Sequence, residues 1–163
     1  MKFAELTVGR CITLGPLAVD EQEVLAFASK YDQQWFHTDP ARAAEGPFQG
    51  LIASGWHTCA MAMSLVASDV LHGSESYASP GLAYVRWPNP VRPGDRLMLR
   101  LDVLEQRVSD SQPWLGIVRW RWVMTRQGGA VVLDLEATSM FRLVDEQGPL
   151  PEKAAGSCEE PPL

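Results

Sequence analysis

The sequence predicts an α+β domain in which one curved antiparallel β-sheet wraps around a single long α-helix. Near the middle of the chain an uncharged, apolar segment has the length of a helix, and β-rich segments follow it. Turn residues separate these segments at short intervals, which is typical of antiparallel strands. The predicted strands are Leu82 to Trp87, Asp95 to Val108, Trp114 to Thr125 and Ala130 to Val144, with an earlier strand at about Leu6 to Leu14.

A first helix is predicted to begin after Asp20. This residue is a good N-cap, and Glu23 stands three positions later, close to the capping-box pattern. Apolar residues follow at helical spacing, namely Val24, Phe27, Ala28 and Tyr31. The pattern ends near Asp32, and Pro40 prevents an easy continuation of the helix.

The central helix is predicted to run from about Ser54 to Leu71. Ser54 can cap its first turn, and Gly73 supplies the stop signal. The segment from Trp56 to Ala67 has no charged side chain and little polar surface on any side. Helices that are apolar all round are buried, so we expect the sheet to enclose this helix.

Length and composition indicate one globular domain. The chain has 163 residues, of which 46% are hydrophobic and 21% are charged, as is ordinary for a folded domain. We expect the domain to occupy residues 1–145 and a flexible extension rich in Pro, Gly and Glu to occupy residues 146–163. There is no signal-peptide core and no run of ~20 apolar residues that could span a membrane, so a cytoplasmic location is expected.

The distribution of charge and cysteine argues against several function classes. A formal net charge of −6 argues against general nucleic-acid binding. The three cysteines, Cys11, Cys59 and Cys158, lack metal-ligand spacing, so we expect neither a metal site nor a disulfide framework. Between Arg86 and Arg126 there are eight arginines and four acids. This excess could meet a phosphorylated ligand, although a solvated strand face better explains any single arginine.

Asp32 and His37 form the most informative pair in the sequence. In a continuous helix, side chains five positions apart point about 140° away from each other, so these two converge only if the chain bends. The end of the apolar pattern and Pro40 both predict such a bend. A carboxylate and an imidazole that share one water can remove a proton from it and deliver a proton elsewhere. Taken alone, however, Asp32 would more simply end the helix, and His37 would be a satisfied, partly buried imidazole.

Two further motifs give the pair its meaning. Gly50-Leu-Ile-Ala-Ser-Gly-Trp-His57 leads into the central helix, and Val91-Arg-Pro-Gly-Asp95 opens a strand. With these motifs, the chain resembles the MaoC-like, R-specific enoyl-CoA hydratases and dehydratases of the hot-dog fold over about residues 5 to 145. Asp-x4-His alone is a weak signal, whereas the three motifs in this order are a strong one.

The resemblance implies a reaction and the residues that perform it. The reaction would be a reversible syn addition of water to a trans-2-enoyl thioester, which gives an (R)-3-hydroxyacyl thioester. Asp32 and His37 would activate the water, and the backbone N–H of Gly55 would stabilise negative charge on the thioester oxygen.

The resemblance also implies the acyl carrier and the assembly. Coenzyme A would be part of the thioester substrate, with no separate cofactor, and an acyl carrier protein is the alternative carrier. The phosphates of coenzyme A would contact Arg86, Arg92 or Arg96. The family associates into at least a homodimer, which removes exposed sheet edges, and we expect no nucleic-acid or membrane partner.

Residues beside the two main motifs are candidates for substrate contact, namely Gln34, Trp35, Ser54, Trp56 and His57. Many relatives have Asn and Pro where this chain has Gln34 and Trp35; Gln reaches further than Asn, and Trp35 is expected to narrow the acyl pocket. For Ser54, a helix cap is favoured over a nucleophile because no G-x-S-x-G pattern surrounds it. For His57, packing or hydrogen bonding within the helix is favoured.

Two other functions are compatible with the same fold. A thioesterase would also use a carboxylate, a water and an oxyanion site at a helix start, but it would hydrolyse the C–S bond. A non-catalytic module that binds acyl thioesters would retain Asp32 and His37 without using them. The Asp-x4-His pairing favours hydration over thioester hydrolysis, and substitution of Asp32 and His37 would separate the enzyme from the non-catalytic module.

Overall fold

The computed structural model describes residues 1–143 and has the predicted α+β architecture. The strands are β1 (Cys11–Ala18), β2 (Ser76–Arg86), β3 (Arg96–Val108), β4 (Leu115–Arg126) and β5 (Val131–Arg142). The helices are α1 (Glu21–Tyr31), α2 (Trp35–Thr38), α3 (Pro40–Ala44) and α4 (Gly55–Val66), which a π-helical turn at Ala67–Leu71 continues. Within residues 1–143, no helix is long and apolar enough to cross a membrane. The predicted extension at 146–163 lies outside the described residues.

The strands form one antiparallel sheet in the order β1-β3-β4-β5-β2. The three later strands are neighbours in both sequence and space, and the two earlier strands take the edges. Alternate residues of β3 face the core and are at most 2% exposed, namely Leu97, Leu99, Leu101 and Val103. They share one hydrophobic cluster with Met61, Ala62 and Val66 of α4, so α4 packs on one face of the sheet.

The first strand lies later in the chain than predicted. Instead of about Leu6 to Leu14, β1 spans Cys11–Ala18. Leu6 is fully buried, but it ends a 3-10 turn, and Gly9 turns the chain with a left-handed φ of 83°. The strand continues past Pro16 because β1 is an edge of the sheet, where a proline is tolerated.

The predicted first helix is confirmed as α1. The Asp20 side chain accepts hydrogen bonds from the backbone N–H groups of Gln22, at 2.8 Å, and Glu23, at 3.0 Å. The last helical residue is Tyr31, and Asp32 leaves the helix with a φ of −152°. The chain therefore changes direction directly after the carboxylate that the sequence singles out.

The ends of the central helix are confirmed, but its predicted complete burial is wrong for the single chain. Ser54 is the N-cap and accepts a hydrogen bond from the Trp56 N–H at 3.2 Å. After the π-helical turn, Gly73 has a left-handed φ of 67°. However, Trp56 is 60% exposed and Met63 is 43% exposed. One sheet face covers only one side of a helix, so the opposite apolar side is left uncovered.

Candidate active site

The bend after α1 brings Asp32 and His37 together. α1 ends at Tyr31 and α2 begins at Trp35, so the chain leaves one helix and enters another between the two residues. Asp32 Oδ2 lies 3.4 Å from His37 Nε2, and the two side chains are only 17% and 7% exposed. The predicted convergence is present, and the pair is largely shielded from bulk solvent.

A backbone carbonyl fixes the orientation of the His37 ring. Nδ1 lies 2.8 Å from the carbonyl oxygen of Ile52. Since a carbonyl oxygen only accepts hydrogen bonds, Nδ1 carries the hydrogen, and the neutral ring presents its lone pair at Nε2. An ionised Asp32 also only accepts, so Nε2 and Oδ2 together offer two acceptors to the hydrogens of one water molecule.

Two donors hold the carboxylate of Asp32. The Ser54 hydroxyl donates to Oδ2 at 2.6 Å, and the side-chain amide of Gln34 donates to Oδ1 at 2.8 Å. The hydrogen bond from Ser54 is the main cause that holds the pKa of Asp32 below its ordinary value, against the opposing effect of burial. Asp32 is therefore ionised and has a fixed orientation. Gln34, a predicted substrate contact, thus has its side-chain amide hydrogen-bonded to the Asp32 carboxylate.

Gly55 offers an unpaired backbone donor at the start of α4. As the first helical residue it has no intrahelical acceptor, and no acceptor for its N–H is found within residues 1–143. The Trp87 ring packs directly over this glycine, because an added Cβ would lie 2.7 Å from two ring atoms. A side chain at this position would thus displace the indole.

A cavity of about 270 Å³ connects His37 with Gly55. Both residues line it, together with Thr58 and a mainly apolar wall that includes Phe48, Ile52, Trp87, Val91 and Val132. Asp32 is not a lining residue, so the cavity reaches the pair through His37. The residue that carries the proton acceptor and the residue that carries the free backbone donor therefore border the same mostly apolar cavity.

Comparison with known proteins identifies the family. Residues 5–119 match a family model described as "MaoC like domain". The chain belongs to this family. A structure with the same fold is that of the MaoC-like dehydratase from Rhodospirillum rubrum, with a TM-score of 0.78, 35% identity, and coverage of 90% of this chain and 97% of the other. The fold is thus the hot-dog fold, as the sequence predicts.

Two further relatives of this MaoC-like domain have functional names. The unliganded R-hydratase PhaJ1 from Pseudomonas aeruginosa has a TM-score of 0.71 and 27% identity, over 94% of this chain and 96% of the other. The 3-hydroxyacyl-thioester dehydratase Z of Mycobacterium tuberculosis is 39% identical over 83 residues. Those residues are 50% of this chain and 55% of the dehydratase, so the match spans about half of that relative.

The predicted substrate contacts of the MaoC-like domain have other neighbours. Trp35 packs on Gly46, where an added Cβ would lie 2.6 Å from the ring, and the Arg42 guanidinium lies 4.8 Å from the ring centroid. It does not line the cavity beside His37. Trp56 is exposed and meets Trp87 edge-on at 5.4 Å. These placements separate both tryptophans from the cavity.

His57 occupies a packing position. Its ring stacks on Phe27 at a centroid distance of 4.6 Å, with 6° between the planes. The residue is 8% exposed, and within the described residues its Nδ1 has no hydrogen-bond partner. Burial is the main cause that lowers the pKa of His57, so the ring is held neutral.

Two of the three arginines predicted to meet phosphates, Arg86 and Arg92, have protein partners. The Arg92 guanidinium donates to the carbonyl oxygen of Phe48, and the Arg92 backbone N–H donates to Asp95 at 2.9 Å. Arg92 thus ties together two loops that border the cavity. The Arg86 guanidinium lies 5.1 Å from the centroid of the Tyr84 ring and is next in sequence to the cavity residue Trp87.

Three contributors to the site were missed by the sequence analysis. Trp87 was named only as the end of a predicted strand, yet it covers Gly55 and lines the cavity. Thr58 lies one turn beyond Ser54 and is 2% exposed, so its position after the cap was an available signal. The carbonyl of Ile52 belongs to the backbone, and no residue type indicates its role.

Proposed function

We propose that this MaoC-like domain is a hydro-lyase that reversibly adds water to a trans-2-enoyl thioester, with syn geometry, to give an (R)-3-hydroxyacyl thioester. One observation carries the proposal: the Nε2 lone pair of His37 and the free N–H of Gly55 belong to residues that line the same cavity. The names of the R-hydratase and of the thioester dehydratase among its relatives support the reaction class.

The surroundings of the pair suggest how the two residues divide the work. Both oxygens of Asp32 already accept hydrogen bonds, and its pKa is lowered, so it is a weak base that orients the water. Within residues 1–143 no protein donor occupies the lone pair of His37 Nε2, and histidine is the commonest general base in enzymes. We therefore assign proton removal to His37.

The proposed steps need no reactant besides water. The water oxygen attacks the β-carbon while one of its protons moves to His37 Nε2. The electron pair of the C=C bond shifts toward the thioester oxygen, where the Gly55 N–H stabilises the enolate. His37 then returns the proton to the α-carbon on the same face, which gives syn addition and restores the neutral ring.

Coenzyme A is the proposed acyl carrier, and it enters as part of the substrate. Arg86 and Arg92 lie beside Trp87 and Phe48, two residues of the cavity wall, and their charges suit phosphate groups. An acyl carrier protein is the alternative carrier, and comparison of the two thioesters in the same assay would distinguish them.

A second copy of the chain is the proposed partner. The uncovered side of α4 exposes Trp56 and Met63, and the neighbouring edge strand β2 exposes Tyr77 and Leu82. No charged residue lies between Ser76 and Val85. An unprotected sheet edge can pair with another chain, and an exposed apolar patch beside it marks an association site. A homodimer that pairs these edges would cover both.

Incubation with crotonyl-CoA tests the reaction. The expected result is loss of enoyl absorbance without release of free thiol. Release of thiol would instead identify a thioesterase, and binding without either change would identify a non-catalytic module. Chiral analysis of the product must show the (R)-3-hydroxyacyl thioester, since the (S) isomer would contradict the proposal.

Variants of the pair test its role in the same assay. His37→Ala and Asp32→Asn are each expected to lower kcat by roughly 10²- to 10⁴-fold, the usual contribution of acid–base groups. His72→Ala is the matched control, because His72 is exposed beyond α4, and it should retain wild-type kcat. Wild-type rates in the two site variants would contradict the mechanism.

A further inference from the structure

The Ser54 hydroxyl makes two hydrogen bonds that join distant parts of the chain. It accepts from the Trp56 N–H at 3.2 Å, and it donates to Asp32 Oδ2 at 2.6 Å. Ser54 precedes α4 directly, whereas Asp32 follows α1 and lies 22 positions earlier in the chain. With only 1% of its surface exposed, Ser54 has little access to solvent.

The chemistry of the partners dictates the direction of both bonds. A backbone N–H can only donate, so the hydroxyl oxygen accepts from Trp56. An ionised carboxylate can only accept, so the single hydroxyl hydrogen points to Asp32. Ser54 therefore has no hydrogen left for a substrate atom, and the contact predicted for it is replaced by one to the carboxylate.

The carboxylate oxygen that Ser54 holds is the oxygen that faces His37. Oδ2 lies 3.4 Å from His37 Nε2 and 2.6 Å from Ser54 Oγ. The next residue after Ser54 is Gly55, whose N–H is unpaired. A single side chain thus lies between the group that orients the water and the group that stabilises the enolate oxygen.

We infer that Ser54 is a positioning residue that ties the Asp32 carboxylate to the first turn of α4 and so sets the spacing between the water site and the Gly55 N–H. This inference rests on the proposed hydration reaction. Ser54 acts through its hydrogen bond to Asp32 and makes no contact with the substrate.

Few side chains can perform both tasks at this position. Asp would cap the helix but would place a second negative charge against Asp32. Gly is tolerated at the cap position, but it has no side-chain hydrogen to donate to Asp32. Thr retains the hydroxyl and adds one methyl group at a buried position, so it is the conservative replacement.

Three substitutions at Ser54 test the tie, with two readouts for each. Ser54→Ala and Ser54→Gly should lower kcat by roughly ten- to a hundredfold, as expected for a lost hydrogen bond to a charged group, and leave KM nearly unchanged. NMR titration of the Asp32 carboxyl carbon should show a raised pKa in both variants, because the donor that favours the ionised form is gone. Ser54→Thr should restore both values toward wild type.

Asp20→Ala is the control for capping alone. It removes the side-chain oxygen that accepts hydrogen bonds from the N–H groups of Gln22 and Glu23 and so caps α1. It leaves the Asp32 contacts in place. It should lower the melting temperature without changing kcat or the Asp32 titration. Ser54→Gly keeps a tolerated cap residue, so it is informative even if Ser54→Ala folds poorly.

The two readouts separate failure of the inference from failure of the proposed reaction. An Asp32 titration unchanged in Ser54→Gly, or a rise in KM with kcat unchanged, would overturn the positioning role. If wild-type protein hydrates no enoyl thioester, the proposed reaction fails, whereas the NMR titration still decides whether Ser54 is tied to Asp32.

Discussion

At the scale of single residues, the chemistry of the site depends on which hydrogen bonds each neighbour can donate or accept. The carbonyl of Ile52 sets the tautomer of His37, and the Ser54 and Gln34 donors keep Asp32 ionised. Gly55, like Ile52, contributes a backbone group, and it differs from all three in having no side chain. Its neighbour Trp87 therefore decides how well a substitution there is tolerated.

Gly55→Ala should destabilise the protein by about 1–3 kcal/mol, the usual effect of overpacking, and should lower kcat. The reason is that the new Cβ meets the Trp87 ring at 2.7 Å. In a Trp87→Ala background the same substitution should cost little, since alanine is a better helix residue than glycine. Chemical denaturation and hydration kinetics of the four proteins give the coupling between the two sites. Equal penalties in both backgrounds would show that Trp87 is not the cause.

At the scale of secondary-structure elements, ion pairs across strands hold the outer face of the sheet. Arg121 of β4 makes two hydrogen bonds of 2.8 Å to Asp134 of β5, and Tyr84 of β2 donates to the same carboxylate at 3.0 Å. Arg121 is the main cause that lowers the pKa of Asp134. These contacts link three neighbouring strands, including the edge strand β2.

Asp134→Asn should reduce the free energy of unfolding by about 0.5–1 kcal/mol at neutral pH, a modest value because the Arg121 side chain is 47% exposed. A carboxylate whose folded pKa is lowered stabilises the protein above its unfolded pKa. That stabilisation is lost as the pH falls through the folded pKa. The difference between wild type and variant should therefore shrink on acidification, as measured by urea denaturation at several pH values.

The control for this prediction is Asp110→Asn. Asp110 is exposed in the loop between β3 and β4, so its removal should leave the pH dependence unchanged. A penalty for Asp134→Asn that stays constant at every pH would show that shape or packing, and not the charge, is responsible.

At the scale of the whole molecule, the single chain leaves large apolar side chains of α4 and β2 exposed. The core is on the sheet side of α4, while Trp56 and Met63 face outward beside the exposed part of β2. Because two copies related by a two-fold axis present the same surface to each other, one substitution changes both sides of such an interface.

Leu82→Arg should convert the proposed homodimer into a monomer. Leu82 is 47% exposed on β2, and the substitution would place a charge on each copy at the apolar contact. Sedimentation equilibrium should show the mass fall from two chains to one. Leu104→Arg is the control, because Leu104 is 38% exposed on β3 and should keep the dimer mass. An unchanged mass in Leu82→Arg would place the interface elsewhere.

Local signals in the sequence determined the helix ends and the bend at the site. The Asp20 and Ser54 caps, the Gly73 stop and the end of α1 before Asp32 all depend on residues within one or two turns, so they could be predicted from spacing. The alternation along β3 depends on pattern in the same way. The early strand was misplaced because the pairing of an edge strand depends on its distant partner β3.

Only the tertiary structure decided the state of each group in the site. The tautomer of His37 depends on a carbonyl 15 positions away, and the tie between Ser54 and Asp32 spans 22 positions. The uncovered side of α4 follows from a sheet that presents just one face to it. Contacts between segments far apart in the chain leave no periodic signal in the sequence, since each depends on how the elements pack and not on any one of them alone.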